Sequence, residues 1–260
     1  TTSKPIPGSR TTPASRAALE VATRYCSPAP AQPLLRAHLW AAGYAMARGI
    51  AAQVFDEAHR DQFVPCQPAD AKRADAACAA STLAPLGRLL FRRPLSSAEQ
   101  AFFVKLASDA AAPTGSFHKG LELALSAMLV APQFLYVVET AEPDPSVPGG
   151  LRLDNSSRAA RLSYMLWNST PNEALLQAAA QGKLTDQASL DTIAARMVAS
   201  PRFEQGVRAF FADMLLFEKF DELAKDPVIY PYFNQDVAKA LPEQTLRTIS
   251  GHLLARNGDY

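Results

Sequence analysis

The chain has 260 residues, 26 of them basic and 25 acidic, for a net charge of +1. Hydrophobic residues make up 48% and charged residues 20%, a soluble globular balance able to bury a core in one large domain or two small ones. With no run of like charges there is no electrostatic footprint for nucleic acid or an anionic membrane surface, and no segment approaches the roughly 18 apolar residues of a membrane span.

The pattern is helical nearly throughout, Ala-rich and without alternating β-branched runs bounded by hairpin turns. It predicts an all-α fold, an irregular multi-helix bundle of about nine to eleven helices that admits two helical lobes. Residues 1–33 read as an extended N-terminal arm with Pro5, Pro7, Gly8 and Pro13, then a first helix from Ala14 to Tyr25 broken by Pro28, Pro30 and Pro33. The opening residues lack the apolar core of a signal peptide, so the protein either is not exported or is a mature, processed chain.

A first helical lobe is expected over 34–141. From Leu34 to Phe55 the predicted buried stripe is Leu35, Leu39, Ala42, Met46, Ile50 and Val54. Cys66 and Cys78 flank a polar stretch that opens with a Pro-containing turn. A bridge there would staple a loop to the start of a helix; the other reading is two unpaired thiols. Cys26 is either buried or paired outside the chain. The next helix is predicted from Ala71 to Arg92, kinked or split at Pro85 and ended by Pro94. Ser96-x-x-Glu99 is a capping box for a helix from Ala98 to Ala110. Phe117 to Val130 is apolar on all sides, which places it in the middle of the fold.

Residues 142–154 read as a Pro/Gly-rich linker, and 155–260 as a second helical lobe. Its helices are expected at 155–168, 171–181, 186–199, 201–218 and 235–256. Thr170, Pro171 and Glu173 read as N-cap, N1 and N3, and Ser200-Pro201 repeats the arrangement. Phe203, Val207, Phe210, Phe211, Met214 and Leu215 form a helical stripe expected in the core.

Familiar catalytic signatures are absent. There is no Gly-x-Ser-x-Gly elbow, P-loop, Rossmann glycine fingerprint, His-Glu-x-x-His or Cys-x-x-Cys-His. The histidines are not spaced as ligand pairs, and no metal is expected on the chain. Asp56-Glu-Ala-His-Arg-Asp61 reads as a solvated helix end with internal salt bridges rather than a weak divalent-cation site. Arg161 and the trio Arg88, Arg92 and Arg93 lie within apolar segments. Each needs a carboxylate or helix C-terminal carbonyls for its donors, and Glu139 and Glu243 are candidate partners. If the chain contributes to a pocket, Arg161, Tyr164, Trp167, Tyr136 and Glu139 are its candidates, through flat apolar rings with polar handles and a guanidinium for an anion. Core packing of the same residues is the competing reading.

Three segments carry a resemblance. They are Leu89-Leu-Phe-Arg-Arg-Pro-Leu-Ser-Ser-Ala-Glu99, preceded by Cys66 and Cys78; Ala127-Met-Leu-Val-Ala-Pro-Gln-Phe-Leu-Tyr-Val-Val-Glu139; and Arg161-Leu-Ser-Tyr-Met-Leu-Trp167, followed by Thr170-Pro-Asn-Glu173 and Gly182-Lys-Leu-Thr185. Together they resemble the helical domains of unknown function of planctomycete-type, and also myxobacterial, exported cytochrome c proteins. Two positions depart from that pattern: Val137 stands where the family usually has arginine, and Asn172 where it usually has an acidic residue. The resemblance implies a periplasmic or extracellular protein. It implies the non-haem helical portion or subunit of a c-type cytochrome oxidoreductase, with no cofactor on this chain and a c-type haem on a partner chain or downstream segment. The chain would then be a processed subunit or a fragment. The alternative is a haem-free helical binding or scaffold module of the cell envelope.

Overall fold

The computed structural model describes residues 33–255. Among them are eleven α-helices and two three-residue strands, so the fold is all-α with one small hairpin. The chain divides into two compact units, one ending at Val138 and the next beginning at Glu139. Of the arm and helix expected over 1–33 only Pro33 is described, and it opens a helix; Cys26 lies outside the described residues.

The first unit contains α1 (Pro33–Val54), α2 (Arg60–Phe63), α3 (Ala76–Phe91), α4 (Ser97–Thr114), α5 (Phe117–Leu129) and α6 (Pro132–Leu135). Helix α5 lies at its centre, as its all-round apolar sequence predicts. Phe117, Leu121, Ala124, Leu125 and Met128 are buried, and the helix packs against α4, α1 and α3. The α4–α5 crossing is close: a Cβ at Gly120 would stand 2.3 Å from the carbonyl oxygen of Ala107. Helix α1 turns a different face inward from the predicted one. Ala47, Ala51 and Phe55 are buried, whereas Met46 and Ile50 are exposed. Small Ala side chains let the helix backbone approach its neighbours closely, and a count of large apolar residues does not see such a stripe.

The Cys66–Cys78 disulfide is formed, with Cα atoms 5.7 Å apart. It closes a short loop, a constraint on the unfolded chain worth about 3 kcal/mol. Helix α3 starts later than predicted because Asp75 caps it, accepting a hydrogen bond from the Cys78 backbone N–H at 2.9 Å. Pro85 lies within this one helix and does not split it. Helix α4 runs past Ala110 with Pro113 in its last turn, and Gly115 at φ +58° ends it.

The Ser96–Glu99 capping box is present, and the Glu99 carboxylate also receives both arms of Arg93, at 2.8 and 2.7 Å. These hydrogen bonds, first those from Arg93 and then those from Ser96, hold the Glu99 pKa down at about 2 against an ordinary 4.5. The folded state therefore resists protonation that the unfolded chain accepts. The stabilisation is complete above pH 4.5 and is lost as pH falls towards 2. Urea unfolding across that window is expected to show a loss of about 1–2 kcal/mol from this group, allowing for solvent screening. Glu99→Gln should flatten the decline; an unchanged slope would assign the acid sensitivity elsewhere.

The second unit opens with β1 (Ala141–Pro143) and β2 (Leu151–Leu153), antiparallel with Glu142 opposite Arg152. The stretch read as a linker over 142–154 is thus a hairpin. Arg152 Nε donates to the Glu142 carboxylate at 2.8 Å, the Thr140 N–H donates to Ser157 Oγ at 2.8 Å, and Asp154 caps the next helix. The strands are too short to show alternation, and their pairing rests on an ion pair and turn chemistry.

Helices α7 (Asn155–Trp167), α8 (Glu173–Ala180), α9 (Gln187–Val198) and α10 (Arg202–Met214) follow, then a 3₁₀ turn (Phe217–Glu222) and α11 (Gln235–Ser250). Ala159, Trp167, Leu175, Ala179, Leu184, Ile193 and Met197 form the core. Leu184 is fully buried, its N–H donating to Asn155 Oδ1 and its carbonyl accepting from Arg158. The cap of α8 is Asn172, two residues beyond the predicted Thr170, its Oδ1 accepting from the Leu175 N–H at 2.9 Å. The α10 stripe is not uniformly buried as expected. Phe211 is inside, but Phe210 is 62% exposed, and Met214 and Leu215 are also exposed. Helix α10 meets α7 through Gly206, so the buried face is a narrow strip and the large side chains beside it stand in solvent.

Candidate functional site

Of the arginines singled out from the sequence, Arg92, Arg93 and Arg161 each hold a structural partner. Arg161 projects from α7 to the surface and grips Glu139 with two hydrogen bonds, Nε and Nη2 each at 2.7 Å. The hydrogen bonds to Glu139, and then its charge, raise the Arg161 pKa above its ordinary value. Glu243, the other carboxylate considered, pairs instead with Arg208 and, at 2.7 Å, with Arg247. Arg92 is buried in the left-handed conformation that ends α3 and donates to the carbonyls of Gln133, Phe134 and Tyr136. It therefore caps the C-terminal end of α6.

Of the five pocket candidates, Tyr136 belongs to the first unit, where its ring is exposed and its carbonyl accepts from Arg92. Within the second unit Arg161 and Glu139 meet directly, and Tyr164 is half-buried. Trp167 is buried, its Nε1 donating to the Met197 carbonyl at 3.0 Å and its ring covered by the Arg202 guanidinium, 4.4 Å from the centroid. Its packing, not an open aromatic face, is what the structure uses. The Asp56–Asp61 cluster is a turn: Asp56 accepts from the N–H groups of Ala58 and His59 and pairs with the His59 ring at 2.8 Å.

Trp167 nevertheless forms part of the floor of a cleft in the second unit. It measures about 540 Å³ and lies among α7, α8, α9 and the α8–α9 turn. Leu175, Ile193 and Met197 extend the apolar floor; Asn172, Gln181, Lys183 and Arg196 supply polar groups. The volume falls within the roughly 300–1,000 Å³ of small-molecule sites. Lys183, quoted only within the resembling segment Gly182–Thr185, and Arg196 were not among the site candidates read from the sequence, where thirteen positions separate them. Gly182 at φ +72° turns the chain so that Leu184 enters the core and Lys183 stays at the surface. The helical placement of Arg196, by contrast, follows from the α9 pattern.

Among the described residues no group of three or more His, Cys, Asp or Glu is arranged to hold a metal ion, and no helix is long and apolar enough to cross a membrane. Neither the curated proteins nor the solved structures give a match. Two protein-family models do match. Residues 78–139 are similar to the model described as PSD5: Protein of unknown function (DUF1595), and residues 153–260 to PSD4: Protein of unknown function (DUF1592). The first match ends at Glu139, where the first compact unit gives way to the second.

Proposed function

We propose that this chain is the non-haem helical portion of an exported c-type cytochrome oxidoreductase, a recognition module that shapes a pocket or docking face beside a haem carried on another segment or chain. The observation that carries this reading is how the signature residues are used. Arg92, Arg93, Arg161 and Trp167 build the frame through caps, ion pairs and packing, and no nucleophile–base pair is assembled from them. Accessible in the second unit is a cleft with an apolar floor and polar side chains around it, a feature suited to recognition.

The chain's own residues do not fit a covalently attached c-type haem. Cys66 and Cys78 are joined to each other, and no Cys-x-x-Cys-His occurs. A structural disulfide also suits an oxidising compartment, which supports the periplasmic or extracellular location. The protein recovered from its native source is expected to copurify with a chain or segment that gives a pyridine haemochrome spectrum. Absence of covalent haem from every associated polypeptide would overturn the reading.

The second reading, a haem-free binding or scaffold module of the cell envelope, is favoured by one observation. Phe210, Met214, Leu215 and Leu216 around the end of α10, and Val228, Ile229 and Tyr232 beyond it, are exposed apolar side chains. Exposed apolar side chains suit contact with a partner, and no redox centre is needed for that; the same haemochrome measurement separates the two readings.

A further inference from the structure

We propose that the cleft of the second unit binds a small organic anion, its carboxylate held by Lys183 and Arg196 and its apolar body laid against the floor of Leu175, Ile193 and Met197. The proposal rests on the reading of the chain as a recognition module and names the ligand class of that module's site.

The first support is electrostatic. The cleft is lined by two cationic side chains and no acidic one. The other described arginines of this unit all have partners. Arg152 pairs with Glu142, Arg161 with Glu139, and Arg208 and Arg247 with Glu243. Arg158 donates to the Leu153 and Leu184 carbonyls, and Arg202 covers the Trp167 ring. Among the described residues Arg196 is the one arginine of the second unit without a hydrogen bond, ion pair or ring contact, and Lys183 on the same cleft has none either. Two cations lining one cleft without a carboxylate raise its positive potential, which an entering anion relieves. A guanidinium and an ammonium lining one cleft offer an entering carboxylate both a planar fork and a point charge.

The second support is the floor. Leu175, Ile193 and Met197 are buried core residues whose edges line the cleft, so a ligand with an apolar body gains more there than a bare inorganic anion does. The third is the rim. Asn172 caps α8 through its Oδ1, which leaves its amide NH₂ as a donor, and Gln181 at the other end of α8 lines the same cleft.

The test is isothermal titration of the full, disulfide-bonded chain with benzoate, its neutral isostere benzamide, and inorganic phosphate. Benzoate is expected to bind saturably, with benzamide and phosphate each about tenfold weaker or worse. Lys183→Met and Arg196→Gln should each weaken benzoate about tenfold, and raising the salt concentration should weaken it in the parent chain. Both side chains are exposed, so the unfolding midpoint should not move and a loss of binding will not reflect a loss of fold. Absence of saturable benzoate binding, equal affinity for benzamide, or benzoate affinity untouched by both substitutions would each overturn the proposal. Phosphate bound more tightly than benzoate would overturn the organic class. None of these outcomes bears on whether haem accompanies the native chain, so this proposal and the functional reading fail separately.

Discussion

Alanine at Gly206 is expected to destabilise the protein by about 3 kcal/mol, the reverse of what the same change does in an open helix. A Cβ placed there would stand 2.1 Å from the carbonyl oxygen of Leu166 and 2.6 Å from its carbonyl carbon, with the Trp167 nitrogen at 3.1 Å. All three are backbone atoms of α7, so no side chain can rotate aside. Helix α10 must lift away from α7 instead. Lifting it disturbs Arg202 on the Trp167 ring and the packing of Phe211. The matched control is Gly49→Ala in α1, where nothing lies within 4 Å. There the gain in helix propensity acts alone, and stability should rise by about 0.5–1 kcal/mol. Urea unfolding followed by near-ultraviolet circular dichroism measures both. Equal behaviour of the two variants would show that α7 and α10 do not cross at Gly206.

Gly206 also marks what was legible in the sequence and what was not. The local chemistry was readable: Ser96 and Glu99 form the box their spacing predicts, Cys66 and Cys78 are bridged, and α5 lies at the centre of its unit. Arg161 does find Glu139, one of the two carboxylates considered, but it does so at the surface and not in the apolar setting that suggested the pair. Close approach was not readable. The buried Ala47–Ala51–Phe55 face of α1 and the partly bare α10 stripe both depend on which small residues admit a neighbouring backbone. That is tertiary information, and a hydropathy pattern holds only its shadow. The hairpin over 141–153 was hidden for a different reason: its three-residue strands contain Pro143 and carry no alternation.

The cleft was invisible on both counts. Lys183 owes its exposure to a glycine turn, and Arg196 owes its significance to lacking the partner that every other described arginine of its unit has. Trp167 was picked out for its ring, yet the ring's role is to be buried, and the Trp167-lined floor reaches a ligand through its edge and its neighbours. Aromatic identity alone does not separate a packed ring from a binding surface; the hydrogen bond to Met197 and the covering Arg202 do.

Removal of the Arg92 guanidinium is expected to cost about 3 kcal/mol, and a pair of substitutions separates its two effects. Arg92 is 5% exposed and sits at φ +58°, a conformation in which an L-residue with a Cβ is disfavoured by roughly 1–2 kcal/mol. It tolerates that position because its fork serves the carbonyls of Gln133, Phe134 and Tyr136, which end a four-residue helix too short to hold itself. Arg92→Ala keeps the backbone penalty and loses the fork. Arg92→Gly loses the fork but relieves the penalty, so it should be about 1 kcal/mol more stable than the alanine variant while remaining well below the parent. Arg92→Lys, a point charge without the planar fork, should fall between parent and glycine variant. If the glycine variant matches the parent in urea, the carbonyls of α6 do not depend on Arg92 and the Arg-Arg-Pro segment acts through Arg93 and Glu99 alone. If the predicted order holds, Arg92 is what fixes the last helix of the first unit, in the segment just before the chain passes to the second.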